Sequence, residues 1–146
     1  MAGADQRPLR VLALEDDTDT ADVLALVLAP EDGYALDLCD SAQGCVDLLR
    51  SRKNAPYDVL VLDLLLSQGH NGMEVLAAAR ADPELRPPPI VICTAISPAR
   101  LETFRPAFEG FETRVVFKPF DLDTLQAAIH EAAGFTPIAP LDPSMP

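Results

Sequence analysis

The chain is poor in positive charge: 11 Lys and Arg residues stand against 23 Asp and Glu, a formal charge of −12 over 146 residues. Nucleic acid and anionic membrane surfaces both select for a basic patch, and no basic run occurs in the sequence, so neither is expected as a partner. Long hydrophobic runs are missing too. The opening residues, MAGADQRPLR, lack the apolar core of a signal peptide, and no later stretch approaches the length of a membrane span. A cytoplasmic location is therefore expected. Three cysteines, Cys39, Cys45 and Cys93, are odd in number and lack metal-ligand spacing, so they read as reduced, partly buried thiols.

What is present is aliphatic and regular. Hydrophobic residues make up 49% of the chain and charged residues 23%, the composition of a globular domain, and the length suffices for a core without staples. Strand-length apolar runs recur at LRVLAL (9–14), YALDLC (34–39), DVLVLD (58–63), PIVICT (89–94) and TRVVFK (113–118), each followed by a helix-length amphipathic stretch. Near-continuous apolar strands that alternate with helices imply a parallel sheet covered on both faces, an α/β doubly wound fold of five βα units.

Capping signals punctuate the helices. Thr18 and Thr20 precede the first, Ser41 opens the second, and Asp121 and Gly134 bracket the last. The third begins after Gly72 and stops near Pro83. The fourth has Pro98 in a favourable first-turn position but Pro106 near its middle, which predicts a break or kink. Phe104, Phe108 and Phe111 read as packing residues, His130 as a surface residue and His70 as a solvated loop residue.

Asp63 stands among seven aliphatic residues in DVLVLDLLLS. An isolated carboxylate in such surroundings costs several kcal/mol or more, so it should either reach water or meet a cation. Closing the third strand, it can look out at the carboxyl edge of the sheet, where doubly wound folds bind their ligands. Other strands also end in polar residues: Glu15, Asp16 and Asp17 after the first, Thr94 at the end of the fourth, Lys118 and Pro119 at the end of the fifth.

In order, LEDD, LVLDLLL, ICTA and FKPF resemble the receiver domain of two-component response regulators, and NGMEVL resembles the start of that family's third helix. The resemblance covers roughly residues 8–134, leaving residues 1–7 as an N-terminal extension and 135–146 as a proline-rich tail. It implies a flavodoxin-like sheet of strand order 2-1-3-4-5, a phosphoacceptor at Asp63, and Thr94 and Lys118 as partners of the phosphoryl group. It also implies a Mg²⁺ site made by Asp16, Asp63 and the Leu65 carbonyl, with Glu15 acting directly or through water. Three converging carboxylates need such an ion: like charges about 4 Å apart repel by about 4 kcal/mol at an effective dielectric of 20. Asp17 reads as a helix-start residue rather than a ligand. The donor would be a sensor histidine kinase or a histidine phosphotransfer protein, and the output a downstream protein target. The chain would be a switch rather than an enzyme, promoting its own aspartyl phosphorylation and dephosphorylation.

Several positions depart from the family pattern. Ser67 replaces the usual Pro, Gly72 lies nine residues past Asp63, which lengthens the loop, and Val115 stands where an aromatic ring usually reports activation. The tail, with four prolines in twelve residues, cannot form an effector domain, so a stand-alone receiver without an output domain is expected. Leu65 and Ile96, which flank the acceptor by family analogy, are aliphatic and offer no help in positioning water, so a long-lived phosphorylated state is expected. Two alternatives remain at this level. One is a pseudo-receiver acting as a phosphorylation-independent interaction module. The other is a phosphatase of the haloacid dehalogenase type, which needs a second Asp two residues after the nucleophile, where this chain has Leu65.

Overall fold

The aliphatic run LRVLAL forms an interior strand, and the alternation of its side chains contributes to two separate cores. In the computed structural model, which describes residues 7–51, 56–64 and 72–137, β1 (Leu9–Leu14) is followed by α1 (Thr18–Val27) and a short 3-10 turn at Pro30–Asp32. Then come β2 (Tyr34–Cys39), α2 (Ala42–Ser51), β3 (Val59–Leu62) and α3 (Gly72–Ala81). The chain continues with β4 (Ile90–Thr94), α4 (Pro98–Phe108), β5 (Thr113–Phe117) and α5 (Leu122–Ala133). All strand pairs are parallel and the sheet order is β2-β1-β3-β4-β5. This is the flavodoxin-like arrangement, with the order reversing between β1 and β3.

Successive strand residues point to opposite faces. Leu9, Val11 and Ala13 of β1 join Val59, Val61 and Val91 against Leu24 of α1 and Leu125 and Ile129 of α5. Leu12 and Leu14 join Leu60, Leu62, Ile90 and Ile92 against Cys45 of α2, Val75 and Leu76 of α3 and Leu101 of α4. Helices thus cover both faces, which is why β3 and the part of β4 before Thr94 are wholly apolar, while polar residues such as Asp37 and Arg114 fall on the edge strands β2 and β5.

The helix ends follow from local hydrogen bonding. Asp121 caps α5 by accepting from the Thr124 N–H at 2.7 Å, and Gly134 closes it with φ 83°, a left-handed conformation that glycine adopts without strain. Ser41 accepts from the Gly44 N–H at 3.1 Å. At α1 the cap is Asp17, not Thr18 or Thr20: its carboxylate accepts from both the backbone N–H and the hydroxyl of Thr20, at 2.9 and 2.7 Å. Five capping residues, Asp16 to Thr20, occur in a row there, and the extended backbone at Asp17 (φ −84°, ψ 120°) selects the one that works.

Pro106 does not interrupt α4, which runs continuously from Pro98 to Phe108. The proline sits in the last turn, where few carbonyls have intrahelical partners in any case. The Arg80 guanidinium at the end of α3 satisfies them, donating to the carbonyls of Pro106 (3.2 Å) and Ala107 (3.1 Å) and to that of Glu109. Phe108 is buried, and Phe104 and Phe111 pack against the same core, as packing residues should.

His130 is not a free surface residue either. Its Nε2 lies 2.6 Å from the Tyr34 hydroxyl and its ring stacks on Tyr34, with centroids 6.0 Å apart. Burial lowers its pKa, which favours the neutral ring that can accept the tyrosine proton. Leu65, Ser67, His70 and the tail beyond residue 137 lie outside the described residues, as do residues 1–6 of the N-terminal extension.

Candidate phosphoryl-acceptor site

Register alone brings the polar strand exits together. Leu14 of β1 pairs with Leu62 of β3, so the next residues, Glu15 and Asp63, leave the sheet side by side where the strand order reverses. On the other flank Thr94, the last residue of β4, pairs with Phe117 of β5, and Lys118 follows, its N–H bonded to the Thr94 carbonyl at 2.7 Å. Among the described residues the buried polar or charged residues are Glu15, Asp63 and Thr94, exposed by 7%, 7% and 0%. All three stand at this one edge.

Lys118 unites them. Its Nζ donates to Glu15 Oε1 at 2.8 Å and to Asp63 Oδ2 at 3.0 Å, spanning 103 and 55 positions of sequence. Burial opposes the charge of Lys118, but the hydrogen bonds to Glu15 and Asp63 outweigh it and hold its pKa above the ordinary lysine value. The ammonium therefore stays charged throughout the physiological range. The Lys118–Pro119 peptide bond is cis. Thr94 Oγ1 accepts from the Ile96 N–H at 3.3 Å, which leaves its own hydrogen free to donate.

The backbone of Asp63 is fixed from α3. The Gly72 N–H donates to the Asp63 carbonyl at 2.7 Å, and a Cβ at position 72 would stand 2.8 Å from that oxygen and 3.0 Å from Leu62 Cβ. Only glycine permits this approach.

Two clefts open on the site. One, of about 360 Å³, is lined by Asp63, Thr94, Ala95, Ile96, Ser97 and Arg100. On the opposite side Glu15, Asp16 and Asp17 line another of about 360 Å³ with residues of α1 and the end of β2. Asp17 is engaged in its helix cap. Among the described residues no three His, Cys, Asp or Glu side chains gather closely enough to hold a metal ion by themselves. The donor chemistry nonetheless fits Mg²⁺, which keeps several waters and commonly uses one or two carboxylates. One ammonium is shared by two buried carboxylates, so the all-oxygen site carries net negative charge that a hard cation can offset.

Of the residues singled out from sequence, Glu15, Asp63, Thr94 and Lys118 occupy one edge, with Asp16 beside Glu15. Arg100 and the close approach of Gly72 were missed. An arginine in a helix looks like a solvated residue, and nothing in the spacing shows which glycine meets the acceptor's backbone. Val115 packs against the α2–α4 core, whereas Phe117 is 38% exposed, so Phe117 does not take its place in that packing. The three cysteines are free. Burial pushes the Cys93 thiol up to about 12, keeping it protonated beside the site.

Residues 11–130 match the family model of the response regulator receiver domain. The chain is 32% identical over 118 residues to a protein-glutamate methylesterase/protein-glutamine glutaminase of Anaeromyxobacter dehalogenans, covering 80% of this chain and 31% of that protein. It is also 32% identical over 122 residues to the cell cycle transcriptional regulator CtrA of Caulobacter vibrioides, covering 84% and 49%. The chain thus spans about a third to a half of the curated relatives it matches. Among solved structures, a sensor protein from Polaromonas sp. JS666 superposes with a TM-score of 0.72 at 30% identity, covering 88% of this chain and 97% of that one. The receiver domain of a sensor histidine kinase from Pseudomonas aeruginosa, solved with magnesium in its active-site cleft, gives 0.66 at 24%, covering 87% and 98%. No helix among the described residues is long and apolar enough to cross a membrane.

Proposed function

Because the chain belongs to the response regulator receiver domain family of two-component signalling, we propose that it is a phosphorylation-controlled switch whose acceptor is Asp63. The observation that carries this reading is the convergence of every buried polar residue described, Glu15, Asp63 and Thr94, on one strand edge beside the shared Lys118. A buried carboxylate that meets a lysine at the carboxyl edge of a doubly wound sheet marks a site suited to anionic chemistry.

In the transfer, an Asp63 carboxylate oxygen bonds to phosphorus as the bond from phosphorus to the donor's leaving atom breaks, the electron pair departing with the donor. A histidine kinase or histidine phosphotransfer protein supplies the phosphoryl group. Asp16, Asp63 and the Leu65 carbonyl, with Glu15 directly or through water, would hold Mg²⁺, which when bound supplies charge compensation for the carboxylates and the equatorial oxygens. Lys118 remains protonated and binds a phosphoryl oxygen, and Thr94 donates its free hydroxyl hydrogen to another. These contacts exist only after transfer, so they favour a second arrangement of the β4–α4 and β5–α5 loops that carry Thr94 and Lys118. By offsetting the charge that builds on the equatorial oxygens during transfer, Lys118 and Thr94 promote both the gain and the loss of the phosphoryl group.

Signalling then proceeds through a downstream protein or by passing the phosphoryl group on, in the cytoplasm. The intact constellation favours this reading over a phosphorylation-independent module. The test is intact mass after incubation with acetyl phosphate and Mg²⁺. One added phosphoryl group, lost with Asp63→Asn or a chelator, supports the reading, and no gain by the folded protein contradicts it.

A further inference from the structure

We propose that Arg100 is a second cationic contact for the phosphoryl group, drawing the dianionic donor into the cleft on the α4 side of Asp63 and then clamping the product. The inference rests on Asp63 being the acceptor. Arg100 lies in the first turn of α4 and shares the walls of one cleft with Asp63 and Thr94. Five other arginines are committed: Arg7 to Asp58, Arg50 to Asp82, Arg105 to Glu102, Arg114 to Glu131, and Arg80 to the end of α4; Arg10 and Arg86 also lack such a side-chain partner among the described residues but do not line the cleft with Asp63. Arg100 is exposed, and its guanidinium has no hydrogen bond or ion pair among the described residues.

Charge gives this position its meaning. A chain of formal charge −12 repels a phosphate dianion, and at the site itself Glu15 and Asp63 outnumber Lys118 two to one. Lys118 is occupied on the β5 side. An uncommitted guanidinium on the opposite wall is placed to offset the remaining charge, and its planar fork suits bidentate binding of phosphoryl oxygens. Phosphorylation raises the charge on residue 63 from one negative to two, so the demand for a second cation grows after transfer.

The contact would also reach the helix. The Arg100 N–H donates to Ser97 Oγ at 3.1 Å in the α4 cap, and Ile96, next to Ser97, donates to Thr94 Oγ1. A guanidinium bound to the phosphoryl group therefore acts on the same loop that Thr94 acts on. With Val115 in place of an aromatic ring on β5, α4 acquires its own link to the acceptor.

The full chain is phosphorylated with limiting acetyl phosphate and saturating Mg²⁺ across a salt series, and the second-order rate constant is followed by intact mass for the wild type, Arg100→Ala and Arg100→Lys. Both variants keep good helix formers on an exposed position, and circular dichroism checks their folding. Expected are a roughly three- to tenfold slower rate for Arg100→Ala at low salt, partial recovery with Arg100→Lys, and a gap between Arg100→Ala and the wild type that narrows as salt rises, so that the two salt dependences differ. An Arg100→Ala rate and salt dependence equal to the wild type overturn the inference while leaving Asp63 as acceptor. A slower rate with an unchanged salt dependence and no recovery by lysine also overturns it, because a disturbed helix turn would then suffice. No phosphoryl gain by the wild type removes the proposed function and this inference together.

Discussion

Lys118 holds two buried carboxylates with one positive charge, and the balance of the site depends on it. Taking that charge away leaves Glu15 and Asp63 facing each other without their shared donor, and breaking a buried pair is far costlier than never having made it. Lys118→Met, which keeps the side-chain volume, should lower the unfolding free energy by about 3 kcal/mol in metal-free buffer. Urea denaturation with and without Mg²⁺ checks this, with part of the loss restored by the ion. The pH dependence follows from the raised pKa of Lys118. Its stabilisation is fully present below the unfolded lysine value of 10.5 and disappears only as pH rises through the higher folded value, so it is constant across neutral pH. Ile96 bears on lifetime. It is buried, lines the cleft beside Asp63 and cannot orient water. Replacing it with Asn should shorten the lifetime of the phosphorylated protein severalfold, as measured by decay of the added mass after donor removal, and an unchanged decay would separate Ile96 from hydrolysis.

At the scale of elements, the strand exits were legible in the sequence because an apolar run that ends in a carboxylate, a threonine or a lysine has an obvious inside and outside. The five strands lie within one residue of the apolar runs at either end. Strand order came only from family resemblance, since which strands become neighbours depends on contacts distant in sequence. Pro106 misled because it lies only two residues before the end of α4, where little helix is left to interrupt, and an arginine from another helix holds the last-turn carbonyls. The approach of Gly72 to Asp63 was hidden for the same reason. Gly72→Ala should slow phosphorylation and destabilise the protein by about 1 kcal/mol, the gain in helix propensity being smaller than the cost of displacing the Asp63 carbonyl. Thermal denaturation and the initial phosphorylation rate measure the two effects, and a variant as active and stable as the wild type would show that the backbone yields freely.

Across the whole molecule, the end of the sheet opposite the acceptor is tied by charge. Arg7 binds both oxygens of Asp58 at 2.7 and 2.8 Å, Asp58 also accepts the Arg10 N–H at 2.9 Å, and the Arg7 guanidinium lies 4.7 Å from the centre of the Phe135 ring beyond α5. One carboxylate thus links the starts of β1 and β3 and, through Arg7, the segment after the last helix. Asp58→Ala should cost about 1 kcal/mol, because the Arg10 N–H loses its acceptor while the exposed part of the ion pair is screened. Phosphorylation should be unaffected, since the residue lies at the other end of the strands; a slower rate would show that the two ends are coupled.

The central claim is that the phosphoryl group goes to Asp63. The most direct measurement is reductive trapping: protein phosphorylated with acetyl phosphate and Mg²⁺ is treated with borohydride, which converts an aspartyl phosphate to homoserine, and the modified peptide is sequenced by mass spectrometry. Homoserine at position 63 is predicted. Homoserine at another carboxylate, or at none in a protein that has gained the phosphoryl mass, would contradict the account.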